Sequence, residues 1–482
     1  MNNRSRHLKF IGIWLALVVL GWLVYVLVRG LAAIIYLDVP FYDWPWYIPL
    51  IVLLIGTPVY VLSSRLRRDK LHVCRSAAVL GVLLLIWIII GYNGFGQDTT
   101  LSLMDRAPIS ISFWAYSDFR QTPDAILKDI QAARGAIYLD AGTRPFETDG
   151  QSAFVAAMRR LADHDIPVYW AVPAPNFLSA SVADRWAANV RRAAELVTRE
   201  NLSAVRGFSG DVEPPLNEPF DWLGLQRNEF EAAINAYRTL QTDLHHDYPA
   251  LQLGVTALWA HFLDPLDGDA ALSLVMRSPL DPPGGWDFVN LMTYSSYYPE
   301  SWRPYYVYVL ERAMMRLYPT KPVSHLLGLV GGGMPGEPIM GFEELVRDAR
   351  ISRTLGVREI VVFQLDGALQ TFGDDFVRRL NEAVNGEEAI GPVEIPFSRP
   401  ISILFYGIAV ADSLLDMFYS RAWLLVLWVG VSGLLTWRLL RRDSAAARHD
   451  GFTPPQLPTI AVAPPRSESR ASSTSRRDRL PA

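Results

Sequence analysis

"GFSGDVEPP" occupies residues 207–215. It closes a strand-like run, AVRGFSGDVE (204–213), and the two prolines after it, which cannot donate to a ladder, end the strand abruptly. Asp211 and Glu213 sit two residues apart at that end. Side chains of equal parity on a strand share a face, so Ser209, Asp211 and Glu213 point the same way. The neighbouring segments decide what that face meets.

Seven further short β-rich runs flank this one: ISISFW (109–114), GAIYLDAG (135–142), IPVYWAVP (166–173), LQLGVTALWA (251–260), WDFVNLMTY (286–294), PVSHLLGLVG (322–331) and REIVVFQLD (358–366). Between them lie longer stretches such as SVADRWAANVRRAAELVTRE (181–200) and QRNEFEAAINAYRTLQTDLHHDY (226–248), apolar at helical spacing with charges on the other face. This alternation implies an α/β fold with a parallel sheet. Eight units in about 275 residues predict a (β/α)8 TIM barrel over residues 105–390, with a doubly wound open sheet as the alternative. No glycine-rich phosphate turn follows the first strand, which argues against a dinucleotide site there.

In such a barrel the active site lies at the C-terminal ends of the strands. Ser209, Asp211 and Glu213 are therefore expected to face the interior and rise toward the mouth. Other polar or aromatic residues end strands too: Trp114 and Tyr116, Asp140, Trp170, Trp259 with His261, Met292 with Tyr294, and Gln364 with Asp366. Flat rings beside paired acids suit a sugar, whose C–H face stacks while its hydroxyls take hydrogen bonds. A lone acid at a barrel mouth more often caps a helix or meets an arginine, but the Asp211 and Glu213 pair with Tyr294 favours chemistry. His261 and His325 lack ligand spacing and read as structural, and no metal or cofactor is expected. The run GLVGGGMPGEP (328–338) has no P-loop lysine and reads as a rim loop.

The chain has 482 residues, half of them hydrophobic, with a net charge of −4 and a single cysteine, Cys74. The absence of a basic footprint argues against a nucleic-acid partner, and one cysteine excludes a disulfide framework. Four apolar runs are of about membrane-crossing length: Phe10–Val28, Tyr47–Leu62, Ala77–Tyr92 and Ala422–Leu440. The N-terminus, the loop 64–75 and the tail from Arg441 are basic, whereas 38–47 has no Lys or Arg. By the positive-inside rule both termini are expected in the cytoplasm and the barrel outside the cytoplasmic membrane. The expected organisation is three transmembrane helices in 1–96, the barrel in 105–390, an interfacial or packed helix and a fourth span in 401–442, and a disordered cytoplasmic tail in 443–482. A lipid membrane is therefore an expected partner.

"GFSGDVEPP" resembles the fourth-strand signature of the family 18 glycoside hydrolases, the chitinases and endo-N-acetylglucosaminidases, which ends in Asp, any residue, Glu. "FVNLMTYSS" (288–296) resembles that family's sixth-strand signature, which ends in Met, any residue, Tyr, Asp. Two earlier signature aspartates are Arg206 and Ser209 here, the closing aspartate of the sixth strand is Ser295, and Phe363 with Gln364 stand where the family usually has a tryptophan. The resemblance covers the barrel alone and implies substrate-assisted hydrolysis of an N-acetylated amino-sugar glycan. In that scheme Glu213 protonates the leaving oxygen, Asp211 orients the substrate's acetamido group as its oxygen attacks, and Tyr294 hydrogen-bonds that group's carbonyl; no protein nucleophile is used, unlike the two-carboxylate route. The same scheme expects a raised pKa on Glu213. Two other readings stay open: a two-carboxylate glycosidase in which Asp140 or Asp366 joins Glu213, and a non-catalytic glycan-binding or scaffold barrel of an envelope-polysaccharide machinery.

Overall fold

The computed structural model describes residues 3–37, 98–101, 107–116, 119–173, 179–213, 227–259, 264, 270–278, 286–318, 322–328, 338–389, 391–419 and 422–449. Eight parallel strands close into a barrel in chain order. They are β2 (Ser110–Ala115), β3 (Ile137–Leu139), β4 (Val168–Ala171), β5 (Val205–Val212), β6 (Gln252–Leu258), β7 (Phe288–Met292), β8 (Val323–Leu327) and β9 (Glu359–Val362). β2 pairs with β9 to complete the ring. The expected barrel is thus present and the open sheet is not. A short antiparallel pair, β1 (Thr99–Leu101) with β10 (Val393–Ile395), joins the chain before the barrel to the chain after it, a feature the sequence reading did not anticipate.

Residue parity sorts the barrel side chains into two sets. Trp114, Tyr138, Ala171, Phe288, Met292, Leu326 and Val361 pack with Tyr169, Leu258, Tyr294 and Phe363 as the barrel's interior. The alternate residues, among them Phe113, Trp170, Phe208 and Val255, pack against the surrounding helices. Several polar groups inside the barrel are paired with one another. Glu359, on the first residue of β9, accepts Ser112 Oγ at 2.5 Å, Ser324 Oγ at 2.5 Å and Tyr138 OH at 3.1 Å. Higher up, Ser209 and Thr256 hydroxyls meet at 3.1 Å, and Asn290 Nδ2 donates to Thr256 at 3.2 Å. These bonds offset the cost of placing polar groups where water is excluded.

The two glycines of "GFSGDVE" have packing reasons. A Cβ on Gly207 would lie 2.3 Å from the Gln252 carbonyl oxygen, and one on Gly210 would lie 2.8 Å from the Trp186 ring of the helix Ala180–Arg199. Strand β5 therefore carries its acids between residues that let a neighbouring strand and a helix approach closely.

The helix Arg399–Tyr419 packs on the barrel layer. Phe405 stacks on Trp259 with ring centroids 4.9 Å apart, and Ser402 Oγ donates to Tyr305 OH at 3.2 Å. The chain divides into two compact units, Leu17–Trp428 with the barrel and a second made of 1–16 with 429–482. Long helices run over Asn3–Leu37 and Ala422–His449. In the second unit Trp14 Nε1 donates to the Val429 carbonyl at 3.0 Å; in the barrel unit Trp428 Nε1 donates to the Leu17 carbonyl at 3.1 Å.

Among the described residues, no helix is long and apolar enough to cross a membrane. The runs at 47–62 and 77–92 lie outside the described residues. The last helix continues through Asp443 to His449, into the segment expected to be disordered; residues 450–482 are outside the described part.

Candidate active site

Strand β5 delivers the acids as its parity requires. Asp211 pairs in register with Thr256, an interior residue of β6, so Ser209 and Asp211 rise along the inner wall toward the C-terminal rim, and Glu213 follows directly after the strand's last residue. Asp211 and Glu213 are both in contact with solvent there. Desolvation is nevertheless the largest influence on Asp211; the negative charges of Glu213 and then Asp140 add to it, and together they push its pKa up to about 8. Water in the open bowl screens part of this, but burial and both neighbours act in the same direction. The raised pKa is thus that of Asp211, whereas the family scheme expects one on Glu213.

Two tyrosines complete the constellation. Tyr294 follows β7 and is held far above the ordinary tyrosine range by burial first, and then by the charges of Asp211 and Glu213. Tyr116 follows β2, and burial, Asp140, Asp211 and Glu213 raise its pKa to about 12, against the opposing effect of Trp114. Phe363, on the interior side after β9, sits edge-on to Tyr116 at 6.3 Å, beside Tyr294 at 5.7 Å and beside Trp114 at 6.4 Å. The mouth therefore has carboxylates from β3 and β5 and rings from β2, β7 and β9.

The backbone around these groups is held by side-chain acceptors. Asp366 Oδ2 accepts the Tyr116 N–H at 3.0 Å, and Asp140 Oδ1 accepts the Gly142 N–H at 2.9 Å. Gln364 is buried and its Oε1 accepts the Asp366 N–H at 2.9 Å, capping the helix Leu365–Phe372. Ser295, directly after Tyr294, faces outward and donates to Asp348 Oδ2 at 2.6 Å, and Arg347 binds the other oxygen of that carboxylate at 2.8 and 2.9 Å. The signature position occupied by an aspartate in the family thus anchors Tyr294 to the helix Phe342–Leu355 instead of entering the mouth.

Several sequence expectations are corrected by this geometry. Trp170 has the outward parity: it is fully buried between Phe146, Phe154 and Phe208, at 5.3, 4.5 and 6.2 Å, in the strand–helix layer. Trp259 also points outward and stacks on Phe405, so neither tryptophan lines the mouth. Trp114 and Met292 are interior but sit beneath the rim, 2% and 5% exposed. Strand β9 ends at Val362, so Gln364 and Asp366 belong to the following cap and helix and not to the strand. His325 is wholly buried 3.7 Å from Glu311, a structural setting as expected, and burial lowers its pKa to about 3. Phe363, noted in the sequence only as standing where the family usually has a tryptophan, is a mouth residue; its parity with Val361 was the available signal. Among the described residues no group of three His, Cys, Asp or Glu side chains could hold a metal ion.

No protein-family model matches the sequence, and no curated protein matches it. Solved structures resemble the barrel region. One is a GH18 chitinase from Pseudoalteromonas aurantia, at 11% identity over 57% of this chain and 99% of that one, TM-score 0.41. Another is the PgaB (BpsB) glycoside hydrolase domain from Bordetella bronchiseptica, at 13% identity over 57% and 99%, TM-score 0.40. A third is a family 1 β-glucosidase from Thermotoga maritima, at 11% identity over 55% and 89%, TM-score 0.39. What these share with the chain is a barrel shape, and that shape hosts many unrelated reactions.

Proposed function

We propose that this protein is a glycoside hydrolase acting on a glycan that contains N-acetylated amino sugars, by substrate assistance. The supporting observation is the convergence of Asp211, Glu213 and Tyr294 on one mouth, where desolvation and the neighbouring acids raise the pKa of Asp211. Glu213 is the acid that protonates the leaving oxygen. The Asp211–Glu213 pair retains a proton at a pH where isolated carboxylates have lost it, so a proton donor is present at neutral pH. As the acetamido oxygen attacks the anomeric carbon, the glycosidic bond breaks and its oxygen leaves with that proton. Asp211 takes hydrogen bonds from the acetamido N–H, and the Tyr294 hydroxyl donates to the group's oxygen. Water then opens the cyclic intermediate, returning a proton to the pair.

The test is product release from a panel of glycans by the full-length protein and by Glu213→Gln. Turnover in the variant should fall by about 10²-fold to 10⁴-fold while glycan affinity survives. Intact hydrolysis in Glu213→Gln would place the acid elsewhere, with Asp140 the nearest alternative because it already shares the electrostatic environment of Asp211.

The same reading places the barrel outside the cytoplasmic membrane, anchored by transmembrane helices. Its support is the apolar runs of the sequence and the exposed stripe Leu8, Ile11, Leu15, Val19 and Leu23 on one side of the first long helix, a surface that favours an apolar surrounding. A reporter active only outside the cytoplasm should work when fused near Gly391 and be silent after Arg442. The reverse pattern would overturn the topology.

A further inference from the structure

Beside the mouth lies a second space. A cavity of about 650 Å³ opens between the ends of β2 and β3 and the helix Thr148–Asp163, and Tyr116 and Asp140 line both it and the mouth. Its size is that of an ordinary ligand site. Arg120 and Arg144 also line it, both with exposed side chains, and Phe154 supplies an apolar wall.

The two arginines stand on segments held in place by other residues. Arg160 donates to the carbonyls of Phe119 at 2.8 Å and Arg120 at 2.6 Å and to that of Thr122, and pairs with Asp124 at 2.7 Å. Arg144 opens a tight turn closed by the Phe146 and Glu147 N–H groups, while Arg192 donates to the Phe146 carbonyl at 2.9 Å and lies 4.7 Å over its ring. Gly150 lets the helix approach this turn, since a Cβ there would be 2.2 Å from the Arg144 carbonyl oxygen. Among the described residues, Arg144 forms no ion pair with a carboxylate. Among the described residues, the charged groups lining the cavity are Arg120, Asp140 and Arg144, and one Asp140 oxygen accepts the Gly142 N–H.

The geometry points to an acidic-sugar subsite: the cavity receives the unit next to the sugar held over Asp211 and Glu213, and Arg120 and Arg144 bind an anionic substituent of that unit, a uronate carboxylate being the simplest. Guanidinium forks match carboxylate oxygens, and the exposed Arg144 guanidinium beside an acidic mouth orients a chain of alternating character. This rests on the reading of the mouth as a glycan site and not on that site being hydrolytic.

The full-length Glu213→Gln protein should be titrated calorimetrically with a hyaluronan tetrasaccharide, which alternates glucuronate with N-acetylglucosamine, and with chitotetraose, which is neutral. The acidic ligand should bind about tenfold more tightly at low salt, and the preference should shrink as salt screens it. Arg144→Gln, alone and with Arg120→Gln, should remove most of that preference in proteins that melt like the parent. Equal affinity for the two ligands, or a preference that survives both substitutions, would overturn the subsite. If the acidic ligand binds through the arginines yet the unmodified protein releases no product from any glycan, the hydrolase reading fails and the subsite stands.

Discussion

Asp366 accepts the main-chain N–H of Tyr116 at 3.0 Å. The bond joins the end of the first barrel strand to the helix after the last one, at the seam where the ring closes, and it sets where the Tyr116 ring begins. Asp366→Ala should lower unfolding free energy by about 1 kcal/mol, the typical worth of one such bond. Denaturant titration of the full-length protein measures this, and an unchanged midpoint would show that water replaces the carboxylate without loss.

Asp211 should make stability depend on pH. In the fold it keeps its proton up to about 8, whereas an aspartate in the unfolded chain loses it near 4. Between those values the native state binds more protons, so this group lowers stability as pH rises, and the full cost is present above the folded pKa. Asp211→Asn should therefore melt like the parent near pH 4 and at a higher temperature near pH 8. A melting difference that is the same at both values would contradict the raised pKa.

Tyr294→Phe removes a hydroxyl that burial and two nearby acids keep protonated across the working pH range. Turnover should drop by no more than a few kcal/mol of barrier, mainly on N-acetylated substrates. Combined with Glu213→Gln the losses should be far from additive, because both groups serve one transition state. Additive losses in single-turnover measurements would separate Tyr294 from the reaction.

Trp170→Ala and Trp259→Ala should act on the fold and not on ligand binding. Both rings are buried in the strand–helix layer, 0% and 7% exposed, and truncating such a ring costs about 3–5 kcal/mol. Thermal melts should show the loss, while folded protein binds glycan with parental affinity. Weakened binding without destabilisation would return these tryptophans to the site.

The barrel was legible in the sequence because its causes are local. Periods of two and of 3.6 residues alternate eight times, and each period is imposed by the backbone geometry of one element. The stretch "GFSGDVEPP" likewise carries a local pattern: equal parity puts Ser209, Asp211 and Glu213 on one face, while the register of Asp211 with Thr256 makes that face the inner one.

What the strand ends do was decided by tertiary packing. Parity shows that Trp170 and Tyr169 face opposite sides, but only pairing with Gly207 and Phe208 shows which side is inside. Trp259 was lost to the mouth because the helix Arg399–Tyr419, more than 100 residues later, brings Phe405 against it. Ser295 looked like a missing catalytic aspartate until Asp348 was found bonded to it from another helix. The raised pKa of Asp211 depends on Glu213 two residues away and on Asp140 from a different strand, within a bowl that exists only once the ring has closed. Periodicity specifies elements through neighbours in the chain; burial and electrostatics depend on neighbours in space, and for these residues those come from segments tens to hundreds of positions apart.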